Sequence, residues 1–124
     1  MKKKNRTPAL IIHGGAWDIP DDLVEAHKQG ITKALKIGWK ILNEGGSSVE
    51  AVEESLIVLE DDPTFDAGKG SFLNALGEIE LDASIMNGTT FRAGAVAAVK
   101  NIQNPISLAR VVMDKSEHVL LVGM

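Results

Sequence analysis

The chain has 124 residues, 44% of them apolar and 24% charged, with a formal net charge of −4 and no cysteine. This is the balance of one globular domain with its own core, not of a disordered segment. It argues against a basic nucleic-acid-binding face and excludes structural disulfides and thiolate metal sites.

The opening, MKKKNRTPALIIHGG, starts like a leader, yet its apolar run covers only Ala9 to Ile12, too short for a signal-peptide core. No segment reaches the length of a membrane span. The expectation is a cytoplasmic protein, with residues 1–8 a solvated tail and residues 9–124 one domain portion. Ala9-Leu10-Ile11-Ile12 reads as a short strand buried on both faces, ending in His13-Gly14-Gly15. From Asp21 to Asn43, apolar or small residues recur at helical spacing, among them Leu23, Ala26, Gly30, Ala34, Leu35 and Gly38. Asp21 and Asp22 suit the positive end of that helix, and Gly45-Gly46 can end it. Gly30 and Gly38 lie two turns apart on one face, which predicts close backbone packing there.

Ser47-Ser48-Val49-Glu50 fits a capping box, and the helix after it would carry Val49, Val52, Leu56 and Leu59 inward until Pro63 ends it. Residues 78–86, EIELDASIM, alternate like a strand. Asn87-Gly88 is a strong hairpin signal, so residues 89–99 are predicted to return as the partner strand. Asn104-Pro105 is an N-cap followed by proline at the first helical position, opening a short helix to about Ser116. Residues 119–122 begin another buried strand. The fold class is α/β, with no internal repeat or linker.

Of the three histidines, His27 is expected to face solvent or the helix edge, and His118 to be structural. His13 follows a strand and precedes two glycines, a place where open α/β sheets put ligands. Glycines there let backbone N–H groups approach an anion, but a plain tight turn needs them equally. No G-x-S-x-G elbow, phosphate loop or EF-hand spacing is present. Asn87-Gly88-Thr89 is formally a sequon but reads as a turn. Glu78, Glu80 and Asp82 share one strand face, expected to be solvated. The stretch DPTFDAGKG, residues 62–70, can be read as a cation cage, a phosphate loop, a site edge or a turn.

Taken in order, IIHGGAW, GGSSVEAVEESLIVLEDDPTFDAGKGSFLNALGEIELDASIMNG, RAGAVAAVKNIQNPISLARVVM and HVLLVG resemble the plant-type L-asparaginase/isoaspartyl peptidase family of N-terminal nucleophile hydrolases. The resemblance runs from about Leu10 to Gly123 and matches only the N-terminal portion of such proteins. It implies part of an αββα sandwich that lacks its C-terminal half. It implies self-cleavage at a Gly–Thr bond that frees a threonine whose hydroxyl attacks and whose own amine is the base. That threonine is expected to be absent from this chain. Gly88-Thr89, the one Gly–Thr pair here, aligns with the hairpin instead. The resemblance places His13, Gly14, Gly15 and Asp66 at the active-site rim, Asp66 standing where many relatives have asparagine. It also implies that the backbone carbonyls of Leu59, Glu60, Asp62, Phe65, Ala67 and Lys69 wrap a structural sodium ion, with no other cofactor. The implied partner is the C-terminal (β) portion, in an (αβ)2 assembly, with no nucleic acid and no membrane. A catalytically silent α/β binding module is the alternative. A hydrolase using Ser71 or Thr89 ranks last, because no base stands beside either in the sequence.

Overall fold

The computed structural model describes residues 7–123. Most of the expected solvated tail therefore lies outside the described residues, while Thr7 and Pro8 are exposed.

Helix α1 spans Asp21–Asn43. It has no side-chain N-cap, and Asp21 and Asp22 in its first turn face the helix dipole instead. Gly45, at φ 87°, ends it, and Gly46 N–H donates to Ile41 O at 2.8 Å. Its buried face is His27, Gly30, Ala34 and Gly38, at three- and four-residue spacing. The broader predicted stripe is thus narrowed. Leu23 and Leu35 are exposed, and His27 is buried, not solvent-facing. The His27 ring is held by Nδ1 donating to Leu23 O at 2.9 Å and by the Trp17 and Phe65 rings beside it.

Helix α2 spans Ser48–Asp61 and is capped by Ser47, whose Oγ accepts from Glu50 N–H at 3.1 Å. Only this half of the expected capping box forms. Val49 and Leu59 point inward as expected, but Val52 is exposed, and Ala51, Ser55 and Glu60 complete the buried face. The two helices close on each other at Gly38, where a Cβ would fall 2.2 Å from Ser55 Oγ and 3.0 Å from Ala51 O. The glycine spacing in α1 is therefore a packing device, as the sequence suggested.

Strands β1 (Leu81–Met86), β2 (Ala93–Val99) and β3 (Leu120–Val122) form one sheet in the order β1-β2-β3. The β1–β2 pair is antiparallel; β2 and β3 run parallel, joined by helix α3, Pro105–Lys115. Strand β1 starts later than predicted because Asn74 captures residues 76–78, its Oδ1 accepting from Leu76 and Glu78 N–H at 2.8 and 3.0 Å. The hairpin is wider than the two-residue turn that Asn87-Gly88 suggested. Asn87 N–H donates to Arg92 O, Asn87 Oδ1 accepts from Thr89 and Thr90 N–H, and the left-handed residue is Phe91, at φ 59°. The return strand accordingly begins at Ala93, not at residue 89.

Helix α3 sits directly on β2. A Cβ on Gly94 would fall 2.2 Å from Ala109 O and 2.4 Å from Met113 N. Arg92 donates to Met113 O, which places a cation at the negative end of α3.

Two expected buried strands are corrected. Residues 9–12 form no strand among the described residues, and Ile11 is 91% exposed. Strand β3 is paired to β2, yet all three of its residues are exposed, because among the described residues nothing covers it.

The core falls into two clusters. One joins Val49 of α2 to the sheet and α3 through Leu81, Ile85, Val96, Ile106 and Met113. The other joins Ala34 of α1 to Leu59 and Phe65. Leu56 packs against both.

Candidate functional site

The end of α2, the loop after it, the His13 segment and β1 enclose a cleft of about 620 Å³. His13, Gly14, Gly15 and Asp66, proposed from sequence as one rim, all line it. Phe65 brings them together. A Cβ on Gly14 would lie 3.0 Å from Phe65 Cε1, and one on Gly30 only 2.4 Å from Cε2. The ring thus stands in a slot between two glycines, one from the His13 segment and one from α1. Gly15, at φ 107°, then turns the chain along the cleft.

Asp66 is fixed by the loop's own backbone, its Oδ1 accepting from Phe72 N–H at 3.0 Å. Asp62 does the same for the start of the loop, accepting from Thr64 N–H at 2.9 Å. A short 3₁₀ turn, Gly68–Gly70, tightens the far side. Gly68, at φ 53°, lies against Glu60: a Cβ there would fall 2.5 Å from Glu60 O. At Gly70 a Cβ would fall 2.1 Å from Phe65 O and 2.6 Å from Pro63 O. The main-chain oxygens of Glu60, Phe65 and Pro63 therefore crowd these two glycines. Of the six expected carbonyl ligands, those of Leu59, Asp62 and Ala67 also accept backbone N–H groups at 3.2 to 3.3 Å, and each keeps a second lone pair. Among the described residues no group of three or more His, Cys, Asp or Glu side chains could hold a metal ion.

Glu60 contributes more than a carbonyl. The residue is only 4% exposed; Oε1 accepts from Ile106 N–H at 3.0 Å, while Oε2 has no partner among the described residues. Burial pushes this carboxyl above the ordinary carboxylate range, with the Ile106 N–H pulling the other way. The neighbouring Asp61 is held below that range, chiefly by bonds from the Gln103 and Asn104 side chains at 3.2 and 3.1 Å. Asn104 is thereby diverted from capping its own helix, and Glu60 satisfies the first turn of α3 in its place.

Asp82 was grouped with Glu78 and Glu80 as a solvated face. Glu78 and Glu80 fit that reading, paired with Lys100 at 2.5 and 3.6 Å. Asp82 differs. It lines the cleft, and its Oδ1 accepts from Ala98 N–H at 2.8 Å, across a register shift between β1 and β2. Ala98 sits there at φ 52°. Sequence alternation could not reveal this, because the bulge is in the partner strand. The inward side chain of Glu60 was legible in principle, since it lies four residues after Leu56 on the inward face of α2. His118 and Thr89 are not in the cleft. Lys69 and Asp62 are not among its lining residues either, although their loop forms its wall.

A family profile described as Asparaginase matches residues 6–124. The chain is 56% identical over 115 residues to the isoaspartyl peptidase/L-asparaginase of Bos taurus, covering 92% of this chain and 37% of that protein. It is 49% identical to the protein of the same name from Xenopus laevis, with the same coverage of each. It is 50% identical over 116 residues to the plant-type L-asparaginase of Pyrococcus horikoshii, covering 93% of this chain and 38% of the relative. The chain thus spans well under half the length of these curated relatives.

Proposed function

The chain belongs to the asparaginase family, and from that premise we propose that it supplies the N-terminal portion of an isoaspartyl peptidase/L-asparaginase. The observation that carries this reading is the meeting of His13-Gly14-Gly15 and Asp66 on one cleft, around Phe65. Residues 9–124 would form one part of an αββα sandwich whose second layer packs on the exposed sheet and on β3. The nucleophile would be an N-terminal threonine supplied by the remaining length, which is the partner portion in an (αβ)2 assembly. Its hydroxyl would attack the side-chain carbonyl of asparagine or of a β-aspartyl peptide, its amine taking the proton. Ammonia or the peptide amine leaves, and water releases aspartate. On this reading the chain alone is silent, and its own residues shape and charge the rim of the site.

The loop from Leu59 to Lys69 would hold a monovalent cation through the carbonyls of Leu59, Glu60, Asp62, Phe65, Ala67 and Lys69. When bound, the cation supplies local charge and rigidity to the wall that carries Asp66 and takes no chemical step. Support comes from Gly68 and Gly70, which leave room for the carbonyls of Glu60 and Phe65.

The deciding experiment is aspartate release from L-asparagine and a β-aspartyl dipeptide, using the purified chain with and without a separately expressed C-terminal portion of a relative. Release only with the added portion supports the reading. Release by the chain alone would overturn it. A melting curve in sodium chloride set against choline chloride tests the cation loop, and identical midpoints would remove it.

A further inference from the structure

We propose that Glu60 is a positioning residue: by bonding the first turn of α3 with its carboxyl and backing Gly68 with its main chain, it holds α3 and the Asp66 loop as one piece. Four observations carry this. Glu60 closes a contact 46 residues long in sequence, from the last turn of α2 to Ile106 N–H at 3.0 Å. Ile106 N–H belongs to the first turn of α3, where backbone donors have no partner within the helix. The residue that should cap α3, Asn104, is occupied by Asp61 instead. On its other side Glu60 is the surface against which Gly68 turns, its carbonyl and Cβ lying 2.5 and 2.8 Å from where a Gly68 Cβ would be. Gly68 follows Asp66 by two residues, so a shift of Glu60 is passed to Asp66 through Ala67, which lines the same cleft.

The inference goes beyond the proposed activity. It rests on that reading only for the importance given to Asp66, and the coupling itself is measured without substrate or cation. One acceptor oxygen is what the cap needs, and the second oxygen has no partner among the described residues. Glutamine at this position therefore keeps the cap and puts its NH2 where Oε2 stands, whereas alanine removes the acceptor.

The test is amide hydrogen exchange on the whole chain, read at Ile106, at Phe72, which donates to Asp66, and at Leu42, the second-last residue of α1. In the unsubstituted chain Ile106 and Phe72 should open together, with the same dependence on low denaturant. Glu60→Ala should speed exchange about tenfold at both and leave Leu42 nearly unchanged, while Glu60→Gln restores both. If Ile106 responds and Phe72 does not, Glu60 is a local cap and the proposal fails. If all three amides speed up alike, or if glutamine does not rescue, the role is general stability and the proposal fails again. Should the alanine variant not fold, separate opening of Ile106 and Phe72 in the unsubstituted chain would still overturn it.

Discussion

Phe65 fills the space that a side chain at Gly30 would need: a Cβ on Gly30 would fall 2.4 Å from Cε2 and 2.6 Å from Cζ of the ring. The ring is buried and also flanked by Gly14 and His27, so it has nowhere to retreat. Alanine at position 30 gains about 1 kcal/mol of helix propensity, but overpacking costs about 1–3 kcal/mol. Gly30→Ala should therefore destabilise the chain by roughly 1 kcal/mol, seen as a lower urea midpoint. Adding Phe65→Leu should recover part of the loss. A single variant more stable than the parent would show that the slot yields.

Gly94 meets backbone rather than side chain. The groups its Cβ would strike, Ala109 O and Met113 N, belong to α3 and cannot rotate away. Gly94→Ala should cost more than about 3 kcal/mol and broaden or abolish cooperative unfolding in circular dichroism. Gly88→Ala is the control: nothing lies within 4 Å of its Cβ position, and the change should stay within about 0.5 kcal/mol.

The bulge between β1 and β2 makes two opposite predictions. Ala98, at φ 52°, holds a conformation costly for a residue with a Cβ, so Ala98→Gly should stabilise by about 0.5 kcal/mol after the entropy of glycine is counted. Asp82→Ala leaves the Ala98 N–H without its acceptor and should destabilise by about 1 kcal/mol, with Asp82→Asn losing less. Thermal melts of the three variants separate these outcomes. Equal losses for alanine and asparagine would mean the bond contributes nothing.

Arg110 links α3 to α2 by bonding Glu53, whose other oxygen accepts from Ser107 Oγ at 2.9 Å. Glu53 raises the Arg110 guanidinium above its usual range, so on the arginine side this contribution is complete near neutral pH and is lost only as pH rises through an already very high folded value. Arg110→Met should cost about 1 kcal/mol after allowance for solvent screening, with no dependence on guanidinium titration near neutral pH. The gap should narrow between about 0.05 M and about 1 M salt. A loss that does not change with salt would point to packing of the arginine stem instead.

The helices were legible because their signals are local. Ser47 with its cap, Asp21-Asp22, Gly45 and Pro105 each act within one turn of the boundary they set. The rim residues were named through resemblance alone, and His13, Gly14, Gly15 and Asp66 line one cleft. What stayed hidden depends on partners far along the chain. The exposure of Ala9, Ile11 and residues 120–122 follows from what does or does not lie beside them, which their apolar runs cannot report. The Asn87-Gly88 turn widened because Asn87 Oδ1 took two backbone N–H groups and moved the left-handed position to Phe91. His27 carries a polar label, yet Leu23 O and two aromatic rings make its buried place acceptable.

Helix α2 sends Val49 into one cluster and Leu59 into the other, and the two clusters share no buried residue. Changes confined to α1 and changes confined to α3 should then combine by simple addition, within about 0.5 kcal/mol. Changes in α2 are different, and Leu56 above all, since it touches both clusters. A large-to-small substitution there would make each flank sensitive to the other's defects. Sequence drift can proceed independently on either side of α2, and Leu56 is where the two histories must agree.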